Sequence, residues 1–297
     1  MKKFIICSAM AFAALAANAQ PGFMRMPAPD PDPYTLEVGK LTMVVDAGQG
    51  AKVMSFKYDG KEVMSELKGF NQFGSTFWTS PQAEWNWPPV AEYDRLPYTV
   101  EKQGDALVMT SKLSEKYQYQ IKKTFKTDAS DNSIAITYSI INRADKARQV
   151  APWEITRVPG NGLIFFEAAP KSIEAAQGEL IPFVSKYGAA WYAFDEKPAN
   201  RKTNADGKGW LAYANNGLLF VKEFPDIIST QPAPGEAEIQ VYVNEGKTFI
   251  EIESQGAYTT LQPGQALEYT VKWHLVPADS KDVPSKKLLK LAKKITK

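Results

Sequence analysis

Cysteine is all but missing from this chain of 297 residues. Cys7 stands alone, inside the apolar run from Phe4 to Ala16 that follows Lys2-Lys3 and precedes Ala17-Asn18-Ala19. A basic pair, an apolar stretch and a small-x-small step predict a secretory signal peptide over residues 1–19, cut before Gln20. The mature chain then has no thiol, which excludes disulfide staples, thiolate zinc sites and cysteine nucleophiles. Histidine is as scarce, with His274 alone, so neither a multi-histidine metal centre nor a Ser/His/Asp triad can be assembled. Its place on the polar side of an alternating run predicts an exposed ring. No glycine-rich phosphate loop is present, because Gly48 and Gly50 precede a strand pattern rather than a helix and read as a tight backbone bend. After the signal segment no apolar run reaches the roughly 18 to 20 residues of a membrane span. No metal or cofactor is expected from these residues.

Charge is balanced overall but unevenly placed. Residues 281–297 hold seven lysines and one aspartate, a net +6, which leaves −6 for residues 20–280. A mildly acidic body argues against a nucleic-acid binder. Within the basic tail, Leu288, Leu289, Leu291, Ala292 and Ile295 follow helical spacing. That amphipathic helix either adheres to an anionic surface or packs on the body with its lysines solvated.

The chain between these ends reads as strands. Five prolines between Gln20 and Pro33 predict a linker over residues 20–35. Short alternating runs then recur with turn signals between them, such as Asp59-Gly60, Gly104-Asp105 and Asn215-Asn216-Gly217. Helical periodicity is nearly absent before the tail. Residues 36–278 are expected to form one all-β domain, a large antiparallel β-sandwich, with the tail and its short helix over residues 279–297.

Two stretches stand apart from the plain strand pattern. Phe70 to Tyr98 is rich in aromatics and interrupted by prolines, which predicts a long loop system. Trp78, Trp85 and Trp87 either stack on the apolar faces of sugar rings or cap the core edge. Gln82 in the same stretch and Trp153 further on join them as candidate ligand contacts. The other stretch is Phe249 to Leu275, two alternating runs around Pro263-Gly264, which suits a type II turn in a hairpin or looped strand pair. Glu251 and Glu253 share one face of its first run. In the second, Leu267, Tyr269, Val271, Trp273 and Leu275 form an apolar face.

With thiol, histidine and phosphate-loop chemistry excluded, carboxylate chemistry or plain binding remains. A glutamate can act as general base on a sugar hydroxyl when its surroundings hold its pKa near the working pH. Glu253 and Glu154 are the candidate catalytic carboxylates, with Arg157 as a neutralising or hydroxyl-binding partner. In an extended strand Trp153, Ile155 and Arg157 share one face, and Glu154 and Thr156 the other.

Ile252-Glu253-Ser254-Gln255, then Leu261-Gln262-Pro263-Gly264-Gln265, then a strand ending Val271-Lys272-Trp273-His274-Leu275, resembles the C-terminal segment of the galactose mutarotase-like (aldose 1-epimerase-like) superfamily. There a catalytic glutamate sits in a Leu-Glu-x-Gln context ahead of a Leu-x-Pro-Gly-Glu turn. Ala47 to Met64 is similar to that family's opening hairpin, and the likeness covers about the first and last thirds of the chain. It implies one super-β-sandwich with a sugar cleft, and Glu253 in the place of the catalytic glutamate. The family's Thr-x-His-x-Tyr-Phe-Asn segment has no counterpart, since the comparable stretch reads Ala151-Pro152-Trp153-Glu154-Ile155-Thr156. Catalysis would require Glu154 to replace that histidine as acid; otherwise Glu253 serves only to bind a sugar. The expectation is an exported, periplasmic or secreted protein that binds or acts on carbohydrate. Its rivals are a non-catalytic glycan-binding module and a structural or partner-binding protein of the envelope.

Overall fold

The computed structural model describes residues 33–66, 73–195, 197 and 199–297. The expected signal peptide and residues 20–32 of the expected linker lie outside them. Tyr34 and Thr35, expected at the end of the linker, belong to the first strand, Tyr34–Val38.

Two antiparallel sheets face each other. The first, of eleven strands among the described residues, runs in the order Tyr34–Val38, Leu41–Asp46, Lys52–Tyr58, Ser75–Ser80, Arg148–Pro159, Phe249–Gln255, Ile239–Val243, Arg201–Ala205 and Ile173–Gln177, with two short strands off this path. The second, of ten, runs from the edge strand Val184–Lys186 through Ala189–Ala193, Leu163–Phe166, Trp210–Asn215, Leu218–Glu223, Ala266–Pro277, Ser133–Asn142, Tyr119–Asp128 and Ala106–Thr110 to Thr99–Gln103. Every pairing is antiparallel, so each strand carries one apolar face inward.

Aromatic rings from both sheets meet in the layer between them. Trp273 lies 5.3 Å from Phe56 and 4.9 Å from Phe220, and Phe77 stacks on Tyr138 at 4.3 Å between centroids. Each such ring, fully buried, contributes on the order of 1.5–3 kcal/mol by leaving water. The alternation from Leu267 to Leu275 therefore marks a true core strand.

The two runs around Pro263-Gly264 are not a hairpin. Gly264 takes φ +79° and the Gln265 amide donates to Gln262 O at 3.0 Å, as a type II turn requires. Yet Phe249–Gln255 belongs to the first sheet and Ala266–Pro277 to the second, because both strands are apolar on one side and the turn carries the chain across the sandwich. His274 also departs from expectation. It is 3% exposed, with Nε2 3.2 Å from Glu223 Oε2. Val221, its partner in register, lies on the outer sheet face that the C-terminal helix covers.

That helix, Lys286–Ile295, starts at Ser285, whose hydroxyl accepts from the Leu288 amide at 3.4 Å. Leu288, Leu289 and Ala292 are buried in one cluster with Phe165, Trp191, Trp210, Leu219 and Val221. Of the two roles open to this helix, packing on the body consumes its apolar stripe. Among the described residues no helix is long and apolar enough to cross a membrane.

Candidate functional site

The outer face of the first sheet is where strand order turns scattered residues into a site. In the strand Phe249–Gln255, Ile250 and Ile252 point into the core, which leaves Glu251, Glu253 and Gln255 on the outer face. Register extends this face sideways in rows. Arg157, Glu251, Tyr242, Lys202 and Gln177 stand opposite one another on five successive strands. One step along lie Ile155, Glu253, Gln240 and Asn204, and one step further Trp78, Trp153 and Gln255. Side chains directly opposite in antiparallel pairs share a face and touch.

A cavity of about 250 Å³ opens above these rows, lined by Trp78, Gln82, Trp87, Trp153, Gln177, Lys202, Tyr242 and Glu251. It is at the small end of ligand pockets, which run from about 300 to 1,000 Å³, and suits a single small ring. Trp78 meets Trp153 edge-on at 5.3 Å and Trp87 at 6.3 Å, so the three indoles form a corner rather than a stack. Trp87 is 57% exposed.

Each wall is held from behind. Trp78 Nε1 donates to Asp94 Oδ1 at 3.0 Å, as does Thr76 Oγ1. Asp94 reaches this point because its backbone packs against Gly50, where a Cβ would fall 2.1 Å from Asp94 O and φ is +70°. The bend read from Gly48 and Gly50 thus supports an aromatic wall of the pocket. Trp85 Nε1 donates to Thr79 O at 2.8 Å, which buries that ring behind Trp78 instead of in the pocket.

Beneath the floor lies Glu253, fully buried. Its Oε2 accepts from Trp153 Nε1 at 2.7 Å and from Lys202 Nζ at 3.0 Å, while Oε1 has no hydrogen-bond partner among the described residues. Burial pushes the carboxyl up to about 7 against the opposing pull of Lys202, and Glu251 nearby pushes it further the same way. Lys202 Nζ also sits 4.4 Å from the centroid of the Trp153 ring, a cation–π contact. A carboxyl that titrates near neutrality, tied to a cation and to an indole of the pocket wall, can accept, hold or return a proton.

Of the expected site residues, Trp78, Gln82, Trp87 and Trp153 line the cavity, and Glu253 underlies it. Arg157 stands at the end of the row that lines the cavity, its NH2 2.7 Å from Glu251 Oε1 and its NH1 3.2 Å from Phe73 O, so it orients Glu251 rather than facing the cavity. Glu154 is the correction. It points into the sandwich, where it pairs with Lys222 from the opposite sheet and accepts from Ser75 Oγ at 2.8 Å and Thr156 Oγ1 at 2.6 Å. Strand alternation puts it on the far side of the sheet from Glu253, so the two carboxyls do not form an acid–base pair across one ligand. Glu251 was named only as sharing a strand face with Glu253, and Lys202, Tyr242 and Gln177 were not singled out in the sequence. Of these three, Tyr242 had a local signal, alternating with Val241 and Val243. Among the described residues no three His, Cys, Asp or Glu side chains are grouped to hold a metal ion.

No family model matches the sequence, and no curated protein does. Solved structures with the same architecture are numerous. A galactose mutarotase-like protein from Lactobacillus casei superposes with a TM-score of 0.60 at 15% identity, over 82% of this chain and 100% of that one. One from Clostridium acetobutylicum gives 0.55 at 12%, over 82% and 94%. A candidate aldose 1-epimerase from Escherichia coli K12 gives 0.63 at 14%, over 82% and 99%.

Proposed function

We propose, from the galactose mutarotase-like fold that this chain adopts, that it is an exported protein whose pocket on the outer face of the first sheet binds a sugar. The fold supports a carbohydrate-related role in general. The observation that carries the finer reading is the corner of Trp78, Trp87 and Trp153 over the Glu253–Lys202 pair. Indole faces bury the apolar side of a pyranose, and Lys202, Glu251, Gln82, Gln177 and Tyr242 supply donors and acceptors for its hydroxyls. The basic pair, apolar run and small-x-small step at the N-terminus support export.

The direct test is titration of the mature protein with neutral and acidic monosaccharides, followed by tryptophan fluorescence and calorimetry. Saturable binding that Trp87→Ala weakens about tenfold is the expected result; a flat response across the panel contradicts it.

A second reading, catalysis at the anomeric centre, is favoured by Glu251 and Lys202 lining one pocket. In this reading the Glu251 carboxylate, which lines the pocket, takes the proton of the anomeric hydroxyl and Lys202, held from below by Glu253, gives one to the ring oxygen as the ring C–O bond breaks; reversal on the other face exchanges the anomers. Lys202 fills the role expected of Glu154, since it lines the pocket. Polarimetry of anomer exchange tests it: Glu251→Gln abolishes turnover.

A further inference from the structure

The outer face of the second sheet carries a groove of about 700 Å³ lined by Tyr187, Leu289 and the lysines Lys286, Lys290, Lys293, Lys294 and Lys297. It lies on the opposite side of the sandwich from the tryptophan pocket and shares no residue with it. Five lysines line it, and one of them, Lys293, pairs with Glu167, Nζ 2.5 Å from Oε1. The helix spends Leu288, Leu289 and Ala292 on the body, so packing explains its apolar stripe; apart from the Lys293–Glu167 pair and the Lys286–Tyr187 contact, it does not explain the lysine ridge.

Tyr187 closes one end of this groove. It sits with Gly188 in the tight turn between Val184–Lys186 and Ala189–Ala193, at φ +59° and 41% exposed, with Lys286 Nζ 5.2 Å from its ring centroid. Such turns favour Asn, Asp or Gly, and a bulky aromatic there is uncommon. Here the left-handed backbone presents an aromatic face beside a row of cations.

We propose that this groove docks a linear acidic polysaccharide, a polyuronate that carries one carboxylate per ring. From Lys286 to Lys294 the ridge spans about 12 Å at 1.5 Å per residue, with ammonium groups about one turn, ~5.4 Å, apart. That is a charge row matched to a chain rather than to one ion. A tyrosine face at its end stacks on a sugar ring, as aromatic side chains do on apolar surface. A membrane surface fits less well, because the apolar side of the helix is buried against the sheet and cannot enter lipid. Duplex nucleic acid, with a charge per ~1.7 Å, meets the repulsion of a body at −6.

The test uses the full mature protein and an oligogalacturonate of defined length, titrated by calorimetry at low and physiological salt. Binding that Lys290→Glu with Lys294→Glu weakens at least about tenfold, that Tyr187→Asn weakens several-fold, and that Trp87→Ala leaves unchanged is the expected result. The charge variants alter exposed side chains, and circular dichroism of each confirms the fold. No binding, binding indifferent to both lysines, or equal binding to anionic phospholipid vesicles or duplex DNA overturns the proposal. Because Trp87→Ala affects only the pocket on the other face, failure here and failure of the sugar-pocket reading are separable.

Discussion

Trp153 Nε1 and Glu253 Oε2 lie 2.7 Å apart, on neighbouring strands whose register sets Ile155 rather than Trp153 opposite Glu253. The indole reaches diagonally, so one side chain both walls the pocket and holds the carboxyl beneath it. Trp153→Phe keeps the aromatic wall and removes the donor. Because that hydrogen bond favours the ionised form, its loss raises the Glu253 pKa above about 7. Carboxyl titration followed by infrared difference spectroscopy, or the pH dependence of sugar affinity, should move to higher pH in the variant.

Lys202→Met tests the other partner of Glu253. At pH 5, below a pKa of about 7, the buried carboxyl is neutral and loses little. At pH 8 it must ionise without its cation or stay protonated at a cost. The variant should therefore lose roughly 1–3 kcal/mol more stability at pH 8 than at pH 5, measured by urea unfolding at each pH.

Glu154 and Lys222 form an ion pair between the sheets with both side chains fully buried. Lys222 Nζ also donates to Ile252 O at 2.8 Å, and burial lowers its pKa. Glu154→Met strands that cation and should destabilise by about 3–5 kcal/mol, while the double variant with Lys222→Met should recover most of the loss. Sugar binding per folded molecule should be unchanged in the double variant. A specific loss of turnover at preserved affinity would return Glu154 to the mechanism.

Glu238 accepts from the Gly207 and Gly209 amides at 3.0 and 2.8 Å, yet burial pushes its pKa up to about 7. A carboxyl raised above its unfolded value binds more protons folded than unfolded, so its contribution to stability falls as pH rises from about 4.5 to about 7. Glu238→Gln should remove that part of the slope. Melting temperature across pH 4.5–8, parent minus variant, should fall with pH and then level.

The sandwich was legible because its signal is local. Alternation in Leu267 to Leu275, turn residues at Asp59-Gly60 and Asn215-Asn216-Gly217, and the helical spacing of Leu288 and Ala292 each lie within a few residues, where period and turn chemistry act. The site was half legible. Glu253 stood in a short motif and the tryptophans in an unusual stretch, but Lys202 joins them only through a register across Ile239–Val243 that no local pattern encodes. Glu154 shows the same limit: alternation separated it from Arg157, yet which side faced the core depended on Lys222 in the other sheet. His274 is buried against the expectation of an exposed ring, because a strand pattern carries no sign that the C-terminal helix covers the outer face of this sheet.

The most direct test of the central claim is calorimetric titration of the mature protein with a panel of neutral and acidic monosaccharides, run on the parent, Trp87→Ala and Trp153→Phe. Saturable binding of at least one sugar by the parent, weakened in both variants, is the predicted result. Affinity for no sugar on the panel, or affinity indifferent to both tryptophans, would contradict a sugar pocket above Glu253.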